Sequence, residues 1–215
     1  ISDAATTADS TPADASEEDS DAQTIYPVTV TDQAGREVTI EKEPESIVSG
    51  YYISTSLLLA LGLKDKVTGI EAKASKRPIY KLAAPEFLEL PNVGTAKEFD
   101  LETCASLSPE LVILPMKLKD AAQSLSELDI PVLLVNPESE AQLEQMIELV
   151  STATNTKENA DALLSYIDEK KEMLEKDLSG VDAKSVYLAG NSSLLSTAGP
   201  AMYQSGLIEL AGGKN

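Results

Sequence analysis

Two tyrosines and a methionine follow apolar segments that have the composition of buried strands. Tyr51 and Tyr52 come directly after ESIVSG (45–50), and Met116 follows LVIL (111–114) by one proline. An aromatic ring with a polar tip, or a thioether, suits contact with the flat apolar face of a small-molecule ligand. Such residues are also common as partly buried core side chains. A ligand role and a packing role therefore stay open for each.

Basic side chains gather in loops that follow the same kind of segment. Arg77 lies in the loop after VTGI (67–70), Lys97 precedes FDLETCASL, and Lys117 follows Met116. The other polar members of this set are Lys73, Lys76, Tyr80 and Lys119. Loops at the carboxyl ends of parallel strands converge on one edge of a sheet, so these bases predict an anion-recognising patch there. Solvated loop lysines are the alternative interpretation.

Catalytic chemistry has few residues to draw on. The chain contains no histidine and one cysteine, Cys104. This excludes imidazole metal sites, Ser-His-Asp and Cys-His catalysis, and histidine-ligated haem. Carboxylates, lysines and tyrosines would have to carry any acid–base work. We therefore predict a binding protein and not an enzyme, with no catalytic residues, no metal site and no cofactor, and Cys104 as a small buried hydrophobe.

The chain is strongly acidic. It has 36 Asp and Glu against 17 Lys and Arg, a formal net charge of −19. Such a charge opposes attraction to phosphate backbones, so nucleic acid is not an expected partner. Seven of the acids and no base fall in residues 1–24, which hold little that is apolar and larger than alanine. Such a segment cannot bury enough surface to offset its ordering entropy, and we expect a disordered acidic tether.

The rest of the sequence alternates between strand and helix patterns. VTVT and REVTI flank the turn DQAG and predict a β-hairpin. The strands predicted next are 45–50, 67–70, 111–114 and 131–135, and the helices are 54–61, 98–107, 118–128 and 138–152. Strand–helix–strand crossovers imply a parallel sheet with helices on both faces.

The longest helical pattern runs from Lys157 to Leu178, with Thr156 as its N-cap and Gly180 as its stop. At 1.5 Å per residue this helix would be about 33 Å long, enough to bridge two domains. A strand at 185–189 and a helix near 202–210 then begin a second α/β unit. The predicted divisions are a first α/β lobe over 25–154, a backbone helix over 155–180, and the incomplete start of a second lobe over 181–215.

Four stretches, in this order, resemble the helical-backbone class of substrate-binding proteins that serve ABC importers for ferric siderophores, haem and cobalamin. They are VTDQAGREVTI, LLALGLKDKVTGI, VGTAKEFDLETCASLSPELVIL and GPAMYQSGLIELAGGKN. The resemblance covers residues 26–215. It implies two Rossmann-like α/β lobes with parallel sheets, bridged by one long helix, with the ligand between the lobes. Compared with that class, most of the second lobe is absent from this chain.

The resemblance also implies roles for particular residues. Glu102 would be an exposed glutamate that docks onto an arginine of the permease through a charge-assisted pair. An ordinary solvated acid near a helix start is the alternative for Glu102. The loop 191–203 would supply the second lobe's side of the cleft. The expected ligand-binding set is Tyr51, Tyr52, Arg77, Tyr80, Lys97, Met116, Lys117 and Tyr203.

The implied function is capture of an iron complex, siderophore or haem, or of a cobalamin-like ligand, and its delivery to the permease subunits of an ABC importer. The protein would be a monomeric, extracytoplasmic cell-surface lipoprotein, periplasmic in a Gram-negative cell. Its N-terminal lipid anchor would lie outside this chain. Two alternatives stay open. One is a chelatase-like or metal-cluster enzyme of related architecture, and the other is a surface sensor or adhesin without transport.

Overall fold

The computed structural model of the chain describes residues 23–189, 195–200 and 202–215. The expected tether lies outside this part except for its last two residues. Thr24 is fastened to the domain, because its backbone N–H donates to Asn155 Oδ1 at 2.8 Å and its hydroxyl donates to the Thr152 carbonyl at 3.1 Å. The folded domain therefore includes Thr24.

The predicted hairpin is present. β1 (Val28–Thr31) and β2 (Glu37–Ile40) form an antiparallel pair. Asp32 closes the turn, since its Oδ1 accepts the Arg36 backbone N–H and its Oδ2 accepts the Arg36 Nε–H, both at 2.9 Å. Oδ2 also accepts the Leu134 backbone N–H at 3.1 Å. One buried carboxylate thus ties the hairpin to the main sheet.

Within the described residues the main sheet contains four strands. They are β3 (Ile47–Ser49), β4 (Val67–Ile70), β5 (Leu111–Pro115) and β6 (Val132–Val135). Their order is β4-β3-β5-β6 and every neighbouring pair runs parallel, which confirms the prediction from the strand–helix alternation. β3 lies between β4 and β5 in the sheet, although it comes first in the sequence. The segment that follows β3 therefore has the carboxyl end of β4 on one side and the carboxyl end of β5 on the other.

Helices cover both faces of this sheet. They are α1 (Tyr52–Ala60), α3 (Leu101–Ser106), α4 (Lys119–Ser126) and α5 (Glu140–Thr154). Ile113 of β5 joins one hydrophobic core with α1 and α5, whereas Val112 joins the other with α3 and α4. Cys104 is buried in the second core, as predicted, and burial raises the pKa of its thiol to about 12. Burial on both faces explains why these strands are continuous apolar runs.

A short helix lies in the segment after β4, for which the sequence predicts only a loop. α2 (Pro78–Ala83) begins with a proline, whose missing N–H costs nothing in a first helical turn. Tyr80 of this helix packs edge to face on Phe87, with ring centroids 5.8 Å apart, and both rings are buried. Six residues are too few to show a periodic pattern, so tertiary packing decides this helix.

The long helix has the predicted bounds. α6 runs from Lys157 to Leu178, and Thr156 occupies its N-cap without a capping hydrogen bond from its side chain. Lys171 fastens α6 to α5, because its Nζ pairs with Glu140 and lies 3.1 Å from Glu144 Oε1. Within the described residues, no helix combines the length and the apolar character that a membrane span needs.

The second α/β unit departs from its prediction in one respect. The strand predicted at 185–189 is reduced to β7 (Lys184–Ser185), which pairs in parallel with β8 (Gly213–Lys214). α7 (Tyr203–Leu210) lies close to its predicted bounds. In the described part of the chain β7 pairs with β8 alone and its side chains are exposed. Without a second neighbour the ladder ends after two residues, so the longer strand was a wrong prediction.

We expect Asp32→Ala to lower the free energy of unfolding by about 3 kcal/mol, because it leaves the Leu134 N–H without its acceptor and the Arg36 guanidinium without its counter-charge, with the Val132 carbonyl as its remaining partner. Asp32 is only 3% exposed, so water cannot replace the carboxylate freely. Urea unfolding followed by circular dichroism measures the change. Glu41→Ala, at an exposed position next to the hairpin, is the control and should stay within about 0.5 kcal/mol of wild type. Equal losses of unfolding free energy in Asp32→Ala and Glu41→Ala would contradict the role of Asp32 in joining the hairpin to the main sheet.

Candidate ligand-binding site

The carboxyl ends of the parallel strands meet at one edge of the main sheet, and most predicted ligand residues follow them. Tyr51 and Tyr52 follow β3, Arg77 follows β4, and Met116 and Lys117 follow β5. In open α/β sheets, ligands bind at this edge. We call these five residues the rim.

Three rim residues contact one another. The rings of Tyr51 and Tyr52 pack edge to face with centroids 5.2 Å apart, and the guanidinium carbon of Arg77 lies 4.1 Å from the centre of the Tyr52 ring. Tyr52 is 41% exposed. A guanidinium over an aromatic face makes a cation–π contact worth about 0.5–1 kcal/mol at such a site. The rim thus presents an aromatic surface with a positive charge fixed against it.

A buried hydrogen-bond network supports the Tyr51–Tyr52 turn from below. The Ser54 hydroxyl donates to the Tyr51 carbonyl at 2.8 Å, and the Ser49 and Ser54 hydroxyls lie 2.7 Å apart. The Thr55 hydroxyl lies 2.8 Å from Ser49 Oγ. All three hydroxyl residues are buried. Because buried polar groups are costly unless they are paired, this network holds the turn in one conformation.

Glu71 is the carboxylate of this network and is 6% exposed. Its Oε2 accepts from the Thr55 hydroxyl and its Oε1 accepts from the Tyr80 hydroxyl, both at 2.7 Å. Burial raises the pKa of Glu71, while the hydrogen bonds from Thr55 and Tyr80 and the charge of Arg77 oppose that rise. Thr55 lies in α1 and Tyr80 in α2, so Glu71 connects two helices that begin at the rim.

Tyr80, predicted on the ligand surface, has no exposed area. Its hydroxyl is bound to Glu71, and burial, with the hydrogen bond and charge of Glu71, raises the pKa of Tyr80. The structure places Tyr80 behind the rim as a support for Glu71. The reason is the short helix α2, which turns the ring inward onto Phe87.

Arg77 has an unsatisfied donor. Its Nε is buried and has no hydrogen-bond partner among the described residues, and within the same residues its guanidinium forms no ion pair. A buried donor without a partner costs about 1–3 kcal/mol and is rare in folded proteins. The positive charge of Arg77 is therefore available to an incoming anion.

The remaining predicted residues lie apart from this cluster. Lys97 and Lys117 are exposed, and Met116 is half-buried and packs against the core of α3 and α4. Glu102 is exposed in the first turn of α3, a helix capped by the Asp100 side chain, which accepts the Thr103 N–H at 2.8 Å. Glu102 therefore stands on a rigid helix start on the sheet face opposite α1.

A separate cavity of about 490 Å³ lies between α5, α6 and α7. Tyr203, Tyr166 and Ser139 are among its lining residues. None of the five rim residues is among the residues that line this cavity. A volume of this order is typical of small-ligand sites. Residues 191–194 and 201 of the predicted loop 191–203 lie outside the described residues.

Three polar residues beneath the rim were not predicted from the sequence. Glu71 stands directly after the apolar strand VTGI, and Ser49 and Thr55 lie in otherwise apolar surroundings. A charged residue at the carboxyl end of a buried strand is a usable signal for this edge of an α/β sheet. The helix that carries Tyr80 has no such signal.

A parallel sheet with helices on both faces, a rim at its carboxyl edge and a long helix leading to a second α/β unit define an open α/β fold, a class in which ligands bind at the carboxyl edge of the sheet. The periplasmic binding protein family matches residues 47–215, and the chain belongs to this family.

Relatives with known names are similar to large parts of the chain. The uncharacterized ABC transporter substrate-binding lipoprotein YvrC of Bacillus subtilis is 31% identical over 176 residues, 76% of this chain and 52% of the relative. The petrobactin-binding protein YclQ of the same organism is 22% identical over 177 residues, 80% of this chain and 55% of the relative. The chain thus spans about half the length of these curated relatives.

A solved structure extends the similarity to the fold. The molybdate periplasmic binding protein MolA of Haemophilus influenzae, bound to molybdate, superposes with a TM-score of 0.76 at 21% identity. The match covers 87% of this chain and 65% of that protein. The architecture predicted from the sequence is therefore the periplasmic binding protein fold, of which this chain contains a part.

We expect the stability difference between wild type and Glu71→Gln to change with pH. A buried carboxyl with a raised pKa stabilises the folded state fully below its ordinary pKa of 4.5, and this contribution is lost as the pH rises through the folded value. Wild type should therefore lose stability relative to Glu71→Gln as the pH rises above 4.5. Urea unfolding of both proteins between about pH 4 and pH 8 measures it. Parallel stability curves would contradict the burial of an ionisable Glu71.

Proposed function

We propose that the protein is the substrate-binding component of an ABC importer, and that it captures an anionic iron complex, a ferric siderophore or haem, at the rim. The single observation that carries the proposal is the Arg77 guanidinium, stacked on the Tyr52 ring without an ion-pair partner in the described residues. Its charge suits carboxylate, catecholate or propionate oxygens, and the tyrosine ring suits the apolar body of the ligand.

The choice of ligand class rests on the chemistry of the rim. The relatives of this fold are named for petrobactin in one case and for molybdate in another, so membership of the family leaves the ligand open. The whole chain carries a net charge of −19, whereas the charged residues of the rim, Arg77 and Lys117, are both basic. A local positive field in an acidic protein steers anions to that place. The side chains of a corrin ring are neutral amides and a cobalamin-like ligand carries a single phosphodiester, so it offers Arg77 fewer anionic groups than a carboxylate or catecholate iron complex does.

The same proposal covers location and partners. The Bacillus subtilis relative is named a substrate-binding lipoprotein. We infer that this chain is likewise extracytoplasmic and monomeric, that residues 1–22 act as a tether to a lipid anchor, and that the permease subunits receive the ligand. Capture and release need no covalent chemistry, and an enzymatic role forms no part of the proposal.

Alanine substitutions at the rim should weaken binding. We expect Tyr52→Ala and Arg77→Ala each to raise the Kd for a ferric siderophore or haemin by about tenfold or more, which is about 1.4 kcal/mol. Thermal shift of the complete protein identifies the ligand, and calorimetric titration then gives the Kd. Lys81→Ala is the control, because Lys81 is an exposed base on α2 and should bind as wild type. Wild-type affinity in both rim variants would place the ligand elsewhere.

Reversing the charge of Glu102 on α3 should show whether delivery to the permease and ligand binding use different surfaces. We expect Glu102→Arg to reduce uptake of the iron complex by cells while the purified variant keeps the wild-type Kd, because a cation at this position repels the permease arginine proposed to receive it. Uptake and Kd are measured on the same variant. Glu172→Arg makes the same change at an exposed position of α6 and should leave uptake unchanged. Equal losses of uptake and affinity for Glu102→Arg would contradict a docking role.

A further inference from the structure

Glu71 joins two helices that reach the rim from different strands. α1 follows β3 and α2 lies in the segment after β4, and β3 and β4 are neighbours in the sheet. The carboxylate accepts one hydroxyl from each helix, from Thr55 of α1 and from Tyr80 of α2, both at 2.7 Å. Each oxygen therefore holds one helix.

The two attachment points have the same spacing from the rim. Thr55 lies three residues after Tyr52, and Tyr80 lies three residues after Arg77, which is the N-cap residue of α2. Thr55 and Tyr80 both lie in the first turn of their helices, so holding their side chains restrains the starts of both helices. The distance of 4.1 Å between the Arg77 guanidinium carbon and the Tyr52 ring centre depends on those two starts.

We propose that Glu71 is a positioning residue of the ligand site, which ties α1 to α2 and thereby holds Arg77 against Tyr52 for an anionic ligand. The last clause rests on the proposed function, whereas the tie itself does not. Since nothing else described in the chain pairs with the guanidinium, its place depends on the Tyr52 ring below it and on the helix start that Glu71 fixes.

The hydroxyl partners of Glu71 also explain why the charge of Arg77 stays free. Both carboxylate oxygens accept from neutral groups, so Glu71 acts on Arg77 through its charge but forms no ion pair with it. A direct pair would neutralise the guanidinium and leave less attraction for a ligand anion. The nearby negative charge of Glu71 lowers the free-energy cost of burying part of Arg77. Because the two side chains do not pair directly, the guanidinium can still bind an anion.

Magnetic resonance of the arginine side chains tests the tie. The chain has two arginines, Arg36 and Arg77, so a nitrogen–proton spectrum contains two Nε–H signals. The Arg36 Nε–H is bonded to Asp32 and serves as an internal reference. The Arg77 Nε–H is shielded from solvent, which slows its exchange and makes it visible. We expect Glu71→Ala to abolish the Arg77 signal with the Arg36 signal unchanged, and Glu71→Gln to retain both, because a carboxamide still bridges the two hydroxyls.

Two further variants cover the case in which Glu71→Ala does not fold. Thr55→Val and Tyr80→Phe each remove one of the two hydrogen bonds, and each should broaden or shift the Arg77 signal alone. An unchanged Arg77 signal in folded Glu71→Ala, or in both single-bond variants, overturns the tie. Its loss in folded Glu71→Gln overturns the hydrogen-bonded form of the proposal.

Titration with gallium citrate, a diamagnetic substitute for an anionic ferric complex, separates this inference from the proposed function. A shift of the Arg77 signal, with Arg36 unmoved, supports both. If the Arg77 signal responds to substitution of Glu71 but not to gallium citrate, ferric siderophores or haemin, the tie stands and the proposed capture of an anionic iron complex is wrong.

Discussion

The parallel pairing of β3 with β4 on one side and with β5 on the other is the constraint on which the candidate site depends. It delivers the chain at Gly50 into the middle of the carboxyl edge, where the Gly50 N–H continues the ladder by donating to the Ile113 carbonyl at 2.9 Å. A Cβ at Gly50 would lie 2.6 Å from Leu114 Cδ2 and 3.3 Å from Phe99 Cε2, so a larger residue there would require these side chains to move. The tyrosine pair therefore leaves the sheet between strand ends that carry polar side chains.

Polar groups inside the domain stabilise the edge of the sheet more than its centre. The two cores are apolar, and the buried carboxylates Asp32 and Glu71 lie next to the hairpin and beneath the rim. Each has both oxygens hydrogen-bonded, which offsets the cost of desolvation. Asp32 forms an ion pair with Arg36, whereas the Glu71 carboxylate accepts side-chain hydrogen bonds from two hydroxyls and, among the described residues, Arg77 forms no ion pair. The first arrangement suits a structural tie, and the second agrees with the anion-binding role proposed for Arg77.

The sequence predicted two kinds of element: strands that are apolar throughout because both faces are buried, and a helix long enough to show a periodic apolar pattern. Strands β3 to β6 and helix α6 are the elements of these two kinds, because each is decided by contacts that recur along the element. Helix α2 and strand β8 were beyond prediction, since six and two residues carry no period and form through packing and pairing with distant segments. The same limit applies to the site. The positions of Tyr51, Tyr52 and Arg77 after strands predicted that they lie at the carboxyl edge of the sheet, but the inward turn of Tyr80 depends on α2.

Iron anomalous diffraction from crystals of the complete protein, grown with the ferric siderophore or haemin that stabilises it, would locate the bound iron complex. We expect an iron position at the carboxyl edge of the main sheet, with a ligand oxygen in hydrogen-bond contact with the Arg77 guanidinium and the ligand body against the Tyr52 ring. An iron position away from this edge, with Arg77 untouched by the ligand, would contradict this expectation.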